Sequence, residues 1–209
     1  MGRSESSSGA ARVRGLIPDE GRGIPSAFIV FGVDFPASSL GKVGSVEPLV
    51  LPSLVVAAPD SGIAIDRDLP FAHPEGRALH ANLFHPAGEP RGTVLLVHGE
   101  PALEEGGVFW GEDRRVKDTA PLESWSRLLA AGGLAAVSFN HRATAGFTAP
   151  EAVDRDLDAL VAWLERRGLP VDRLGLLAFS GGTPFALRLA RRDPRVRAVV
   201  TLYLSLIHI

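Results

Sequence analysis

The sequence predicts an α/β domain over about residues 61–203, built on a mostly parallel sheet with helices on both faces. Short continuous apolar runs occur at 93–97, 134–139, 174–179 and 196–203, each the length of a strand buried on both faces. Amphipathic stretches of helical period lie between them. The resulting order, two alternating strands and then β-α-β-α-β-α-β, requires crossover connections and hence parallel neighbours.

Each element has a local reason. Residues 62–68 alternate apolar and polar, as an edge strand with one solvated side does, and 78–84 alternate again after the turn His73-Pro74-Glu75-Gly76. A second turn, 86–92, leads into the apolar run 93–97. A long Gly-rich, charged loop follows from His98 to about Thr119. Leu122, Trp125, Leu128 and Leu129 then fall on one helical stripe that Gly132-Gly133 ends. After 134–139, Thr148 and Glu151 form a capping box with Pro150 in the first turn. Val153, Leu157, Leu160, Val161 and Leu164 give that helix its core stripe, and Gly168 follows its end. The strand 173–179, the helix 183–192 and the strand 196–203 complete the series.

Residues 1–60 differ in character. Residues 4–9 are low-complexity, and the apolar bursts at 27–33 and 49–58 are followed or interrupted by Pro36 and Pro52. Prolines so placed argue against central strands, so residues 1–60 are expected to be a disordered extension or sequence upstream of the true start, in preference to a folded arm packing on the domain. Residues 204–209 are set apart as a non-native tail for reasons given below.

Composition narrows the function. A net charge of −2 with no basic stripe argues against nucleic acid as partner. The absence of cysteine rules out disulfides and thiolate metal sites, and fits a reducing cytoplasm. No apolar run reaches the roughly 18 residues of a membrane span. Neither phosphate-binding glycine motif follows a strand, and Asp66, Asp68 and His73 have no metal-ligand spacing, so no cofactor or metal is expected. Only two lysines, Lys42 and Lys117, stand among the 22 basic residues, which reflects a GC-rich coding sequence.

The chemistry gathers at Ala178-Phe179-Ser180-Gly181-Gly182, where a buried strand ends and a helix begins. A serine at such a turn, with small residues flanking it, is a nucleophile elbow, with Ala in place of the first glycine. In parallel sheets, sites form at the carboxyl ends of the strands. His98-Gly99 ends another strand. A serine hydroxyl needs a base to remove its proton, and the oxyanion formed on attack needs fixed donors. The N–H of Gly181 is one natural donor, and the N–H of Glu100 is the best second candidate because Pro101 has none.

V-H-G-E-P at 97–101, S-F-N-H-R at 138–142 and L-L-A-F-S-G-G-T-P at 176–184 together resemble the α/β-hydrolase superfamily, and within it the dienelactone-hydrolase and esterase-like branch. The resemblance covers about residues 62–203; Asn140-His141-Arg142 bears only on the branch. It implies hydrolysis of carboxylic esters or lactones through an acyl-enzyme, with Ser180 the nucleophile and Gly181 and Glu100 the oxyanion donors. It also implies that the triad acid and then the histidine follow the nucleophile in sequence. Asp193 comes too early for the acid and reads as a turn residue. His73, His80, His85, His98 and His141 precede Ser180, and His98 and His141 are expected at most to line the pocket.

Only His208 follows Ser180, within Leu-Ser-Leu-Ile-His-Ile at 204–209. That hexapeptide resembles the translation of a transposon-end adaptor used in sequencing libraries. The natural frame is therefore expected to continue past Tyr203 with at least two more strands that carry the acid and the histidine. The chain as given, without its triad base, is expected to be inactive, since such a loss can lower kcat on the order of a million-fold. Its last strand is expected to be an open apolar edge. The competing reading is a non-catalytic α/β-hydrolase-like protein that binds small molecules. Trp110, on the loop 106–117, serves equally as a pocket wall or as an anchor. Substrate identity and oligomeric state are not legible.

Overall fold

The computed structural model of the chain describes residues 14–15, 28–31, 56–57, 62–99, 116–142 and 150–202. Among the described residues, eight strands form one sheet: β1 (Arg14–Gly15), β2 (Phe28–Phe31), β3 (Ala64–Ala72), β4 (Leu79–His85), β5 (Thr93–Val97), β6 (Ala135–Phe139), β7 (Leu174–Phe179) and β8 (Val196–Leu202). Three α-helices connect the later ones: α1 (Ala120–Ala131), α2 (Pro150–Arg166) and α3 (Thr183–Arg192). The strand order is β1-β2-β8-β7-β5-β6-β4-β3. The pairs β6–β5, β5–β7, β7–β8 and β8–β2 are parallel, and β3–β4, β4–β6 and β1–β2 are antiparallel. From β3 to β8 this is the expected α/β sheet, mostly parallel and covered on both faces.

Alternation along the strands divides the core in two. Leu95, Val97, Val137, Leu176, Ala178 and Val199 face α2 and α3, where Val153, Leu157, Leu160, Leu164, Phe185 and Leu189 meet them. Leu96, Ala136 and Leu177 point the other way, into the layer that holds Leu122 and Ala130 of α1. The predicted α2 stripe is buried throughout. On α1, Ser124 and Ser126 are also buried, and their hydroxyls donate back to Pro121 O (2.9 Å) and Leu122 O (2.7 Å), which hides their polarity within the helix.

Three expectations change. The first strand does not stop at 68 but runs on through Pro70 to Ala72, with register shifts after Asp66 and after Pro70. An edge strand tolerates a proline, because the missing N–H costs no bond on the open side. Next, β8 is not an edge: β2 pairs with it in parallel from Phe28↔Val199 to Phe31↔Leu202. Finally, two segments of residues 1–60 therefore belong to the sheet. β2 itself contains no proline, so each of its four residues keeps its N–H for the ladder. The cap residue Thr148, the loop residue Trp110 and the tail 204–209 lie outside the described residues.

Candidate active site

The site is assembled where β5, β6 and β7 end side by side. β7 carries the chain to Phe179, and a single 3-10 turn, Ser180–Gly182, passes it into α3. Ser180 is exposed and holds φ at +48°, in the left-handed region. A residue with a Cβ loses about 1–2 kcal/mol there, so the conformation persists only where its surroundings impose it. It turns the serine out of the sheet at the positive end of α3, where a developing negative charge is favoured.

What imposes the turn is visible in two glycines. A Cβ on Gly182 would lie 2.7 Å from the carbonyl carbon of Val97 and 2.9 Å from that of His98, and closer still to the Val97 oxygen. A Cβ on Gly99 would fall inside the backbone of Gly181 and the nitrogen of Gly182. The end of β5 and the elbow after β7 thus press backbone against backbone, which only glycine on both sides allows. Of the predicted site residues, Gly181 is brought against Gly99 at the end of β5, and Ser180 precedes it in the same turn. Glu100 lies outside the described residues.

A second layer, which motif reading barely registered, holds this arrangement from the β6 side. His98 and His141 are 4% and 0% exposed, and their rings stack with centroids 4.2 Å apart. His98 Nε2 donates to Phe139 O (2.9 Å), and His141 Nε2 donates to His98 O (2.8 Å). Both imidazoles serve backbone at the strand ends instead of lining an open pocket. Burial lowers the pKa of His141, partly offset by its bond to the His98 carbonyl and by the charge of Asp156, so the ring is neutral at pH 7. The edge of Phe185 closes the stack from α3, 5.7 Å from the His141 ring.

The residues on either side of His141 are tied to two further elements. Asn140 Oδ1 accepts from His80 N at 2.6 Å, and its own N–H donates to His80 O at 3.1 Å, across to β4. The carboxylate of Asp156, 1% exposed on α2, accepts from Arg142 N (2.8 Å) and from its guanidinium (Nε 3.0 Å, Nη2 2.8 Å). Arg142 Nη1 also reaches Glu75 at 3.1 Å. Asn140-His141-Arg142 is therefore a three-way clamp to β4, the end of β5 and α2.

Nothing in the sequence signals that Lys117 is buried. Its side chain is fully buried, with Nζ at 2.8 Å from Asp68, 2.6 Å from Asp118 and 3.0 Å from Asn82 Oδ1. Asn82 completes the network by accepting from Asp68 N (3.0 Å) and donating to Asp118 (2.8 Å). Asp68 sits at φ +53° beside the register shift, which is how its carboxylate reaches in. Asp193 is a turn residue, as expected: it accepts from Arg195 N (2.9 Å) and from the Arg195 guanidinium, at the opposite end of the sheet from Ser180. Among the described residues there is no cluster of three or more metal-ligating side chains, and no helix is long and apolar enough to cross a membrane.

No family model and no curated protein sequence matches the chain. Among solved structures it is similar to inhibited esterase B from Lactobacillus rhamnosis, at 21% identity and a TM-score of 0.44, over 62% of this chain and 40% of that one. It is similar to a cold-adapted esterase from an Arctic intertidal metagenomic library, at 18% identity and a TM-score of 0.46, over 68% of this chain and 60% of the other. It is also similar to brefeldin A esterase, described as a bacterial homologue of human hormone-sensitive lipase, at 21% identity and a TM-score of 0.48, over 70% and 42%. The chain thus spans 40–60% of the length of these three esterases.

Proposed function

We propose that the full-length protein is a serine hydrolase of the dienelactone-hydrolase and esterase-like branch, acting on carboxylic esters or lactones. The observation that supports this most directly is Ser180 itself: an exposed serine at φ +48°, at the carboxyl end of a parallel strand and the start of a helix. The Ser180 hydroxyl would attack the ester carbonyl carbon, and the carbonyl electron pair would move onto oxygen. The N–H groups of Gly181 and Glu100 would hold that oxyanion, each such donor contributing about 2.7–4 kcal/mol in comparable sites. The triad histidine would take the hydroxyl proton and pass it to the alkoxide as the carbonyl re-forms, so that the alcohol leaves. Water would then cleave the acyl-serine by the same base. The triad acid and histidine come from outside the described residues in this proposal. His98 and His141 are unsuited to the base, since they are 4% and 0% exposed and the Nε2 of each donates to a backbone carbonyl.

Fluorophosphonate labelling of the full-length protein, with the modified peptide mapped, tests the proposal. Label on Ser180, lost in Ser180→Ala and accompanied by hydrolysis of a p-nitrophenyl ester, is the expected result. An unlabelled Ser180 in folded protein refutes it and leaves a binding protein of the same fold.

A further inference from the structure

We infer that His141 is a positioning residue for the oxyanion side of the site: its imidazole holds the peptide that leads into the oxyanion loop. The inference rests on the serine-hydrolase reading above. It starts from the peptide between His98 and Gly99. A carbonyl oxygen only accepts, so His141 Nε2 carries its proton and donates it to His98 O at 2.8 Å. The same logic places the proton of His98 on Nε2, toward Phe139 O. Each strand end is thereby held by the side chain of the other, and the stacked rings keep both donors in place.

A trans peptide is a rigid plane with its C=O and N–H on opposite sides. The described chain contains no cis peptide. The His98 carbonyl is drawn toward β6, and β5 lies between β6 and β7 in the sheet. The N–H of Gly99 therefore turns toward β7 and the elbow. Gly99 is also pressed on Gly181 and Gly182, so the plane is held from both sides: by a hydrogen bond from β6 and by contact from β7. The peptide so held is the last one before the proposed oxyanion donor, Glu100, which lies outside the described residues.

The neighbours of His141 suit this role. Asn140 and Arg142 anchor it to β4 and α2, with Asp156 and Glu75 as the carboxylates on that side. Burial keeps the ring neutral. The ring itself is 0% exposed, so it acts through the peptide and not on substrate.

The test compares His141→Phe, which keeps a ring against His98 and Phe185 but has no donor, with His141→Gln, which restores an N–H. The full-length protein is labelled with a fluorophosphonate over a range of probe concentrations, after urea midpoints establish that both variants are folded in the assay. The expected result is a maximal labelling rate lowered about tenfold or more in the Phe variant, with half-saturation unchanged and recovery in the Gln variant. A folded Phe variant labelled at the wild-type rate overturns the inference, as does equal loss in both variants, which would show that shape and not the donor matters. If wild-type Ser180 takes no label, the hydrolase reading fails, and hydrogen exchange at the Gly99 amide decides the hold on the peptide. Faster exchange in the Phe variant supports that hold, and unchanged exchange overturns it.

Discussion

Replacing Gly99 by alanine isolates the contact on which the site depends. Gly99 has no left-handed backbone requirement, so the substitution tests space and not conformation. The added methyl would enter the backbone of Gly181 and the nitrogen of Gly182, where ordinary contact begins at 3.4 Å. No flexible side chain is there to move. The loop can retreat only by loosening the parallel ladder next to it, where Val97 pairs with Ala178. Overpacking of this kind costs about 1–3 kcal/mol, and backbone on both sides puts Gly99→Ala at the upper end. For a chain of this size, that lowers the thermal midpoint by about 5–10 °C. A shift of about 1 Å at the proposed oxyanion loop should slow fluorophosphonate labelling of Ser180 on the order of a hundredfold. Gly88→Ala is the control: nothing lies within 4 Å of its added carbon, so it should match wild type in both assays. A Gly99→Ala protein with wild-type thermal midpoint and labelling rate would refute the interlocked-backbone account.

Three other outcomes are expected. Ser180→Gly removes a left-handed residue that carries a Cβ, so it should raise the urea-derived stability by up to about 1 kcal/mol while abolishing labelling; lower stability would show that φ +48° is not strained. Lys117→Met should cost about 1–3 kcal/mol in urea titration, less than breaking a fully buried pair, because Asp68 and Asp118 remain partly exposed to water; an unchanged midpoint would show that the network is incidental. Burial lowers the pKa of His141 in the folded state, against the bond to His98 and the field of Asp156, so unfolding takes up a proton below the ordinary histidine value. Its contribution is fully present above about pH 6.5 and is lost as pH falls below that value toward the folded pKa, with a slope of at most about 1.4 kcal/mol per pH unit. Urea midpoints between pH 7.5 and 5 should show a shallower fall in His141→Phe than in wild type, and parallel curves would contradict the assignment.

The architecture was legible because its signals are local. The runs 93–97 and 174–179 announce buried strands by composition alone, and α2 announces its core face by period, with every predicted stripe residue buried. Ser180 at a strand-to-helix boundary was equally plain. The segment 28–31 was not, because a four-residue strand flanked by prolines carries little pattern, and only pairing with β8 makes it one.

From the amino-acid sequence alone came the order of elements from β3 to β8, the core stripe of α2 and the serine at the turn, all consequences of neighbours along the chain. The α1 stripe was read only in part, since Ser124, Ser126 and Ala130 are buried with Leu122. Tertiary structure alone decided what holds that serine. Gly99 meets Gly181 from a distant strand end, His141 reaches the carbonyl of His98 across 43 positions, and Lys117 finds Asn82 across 35. A glycine chosen for close approach and one chosen for a turn are the same letter in sequence. So are a histidine that bonds a backbone carbonyl and one that takes a proton from serine. Only the position of the partner in space distinguishes them.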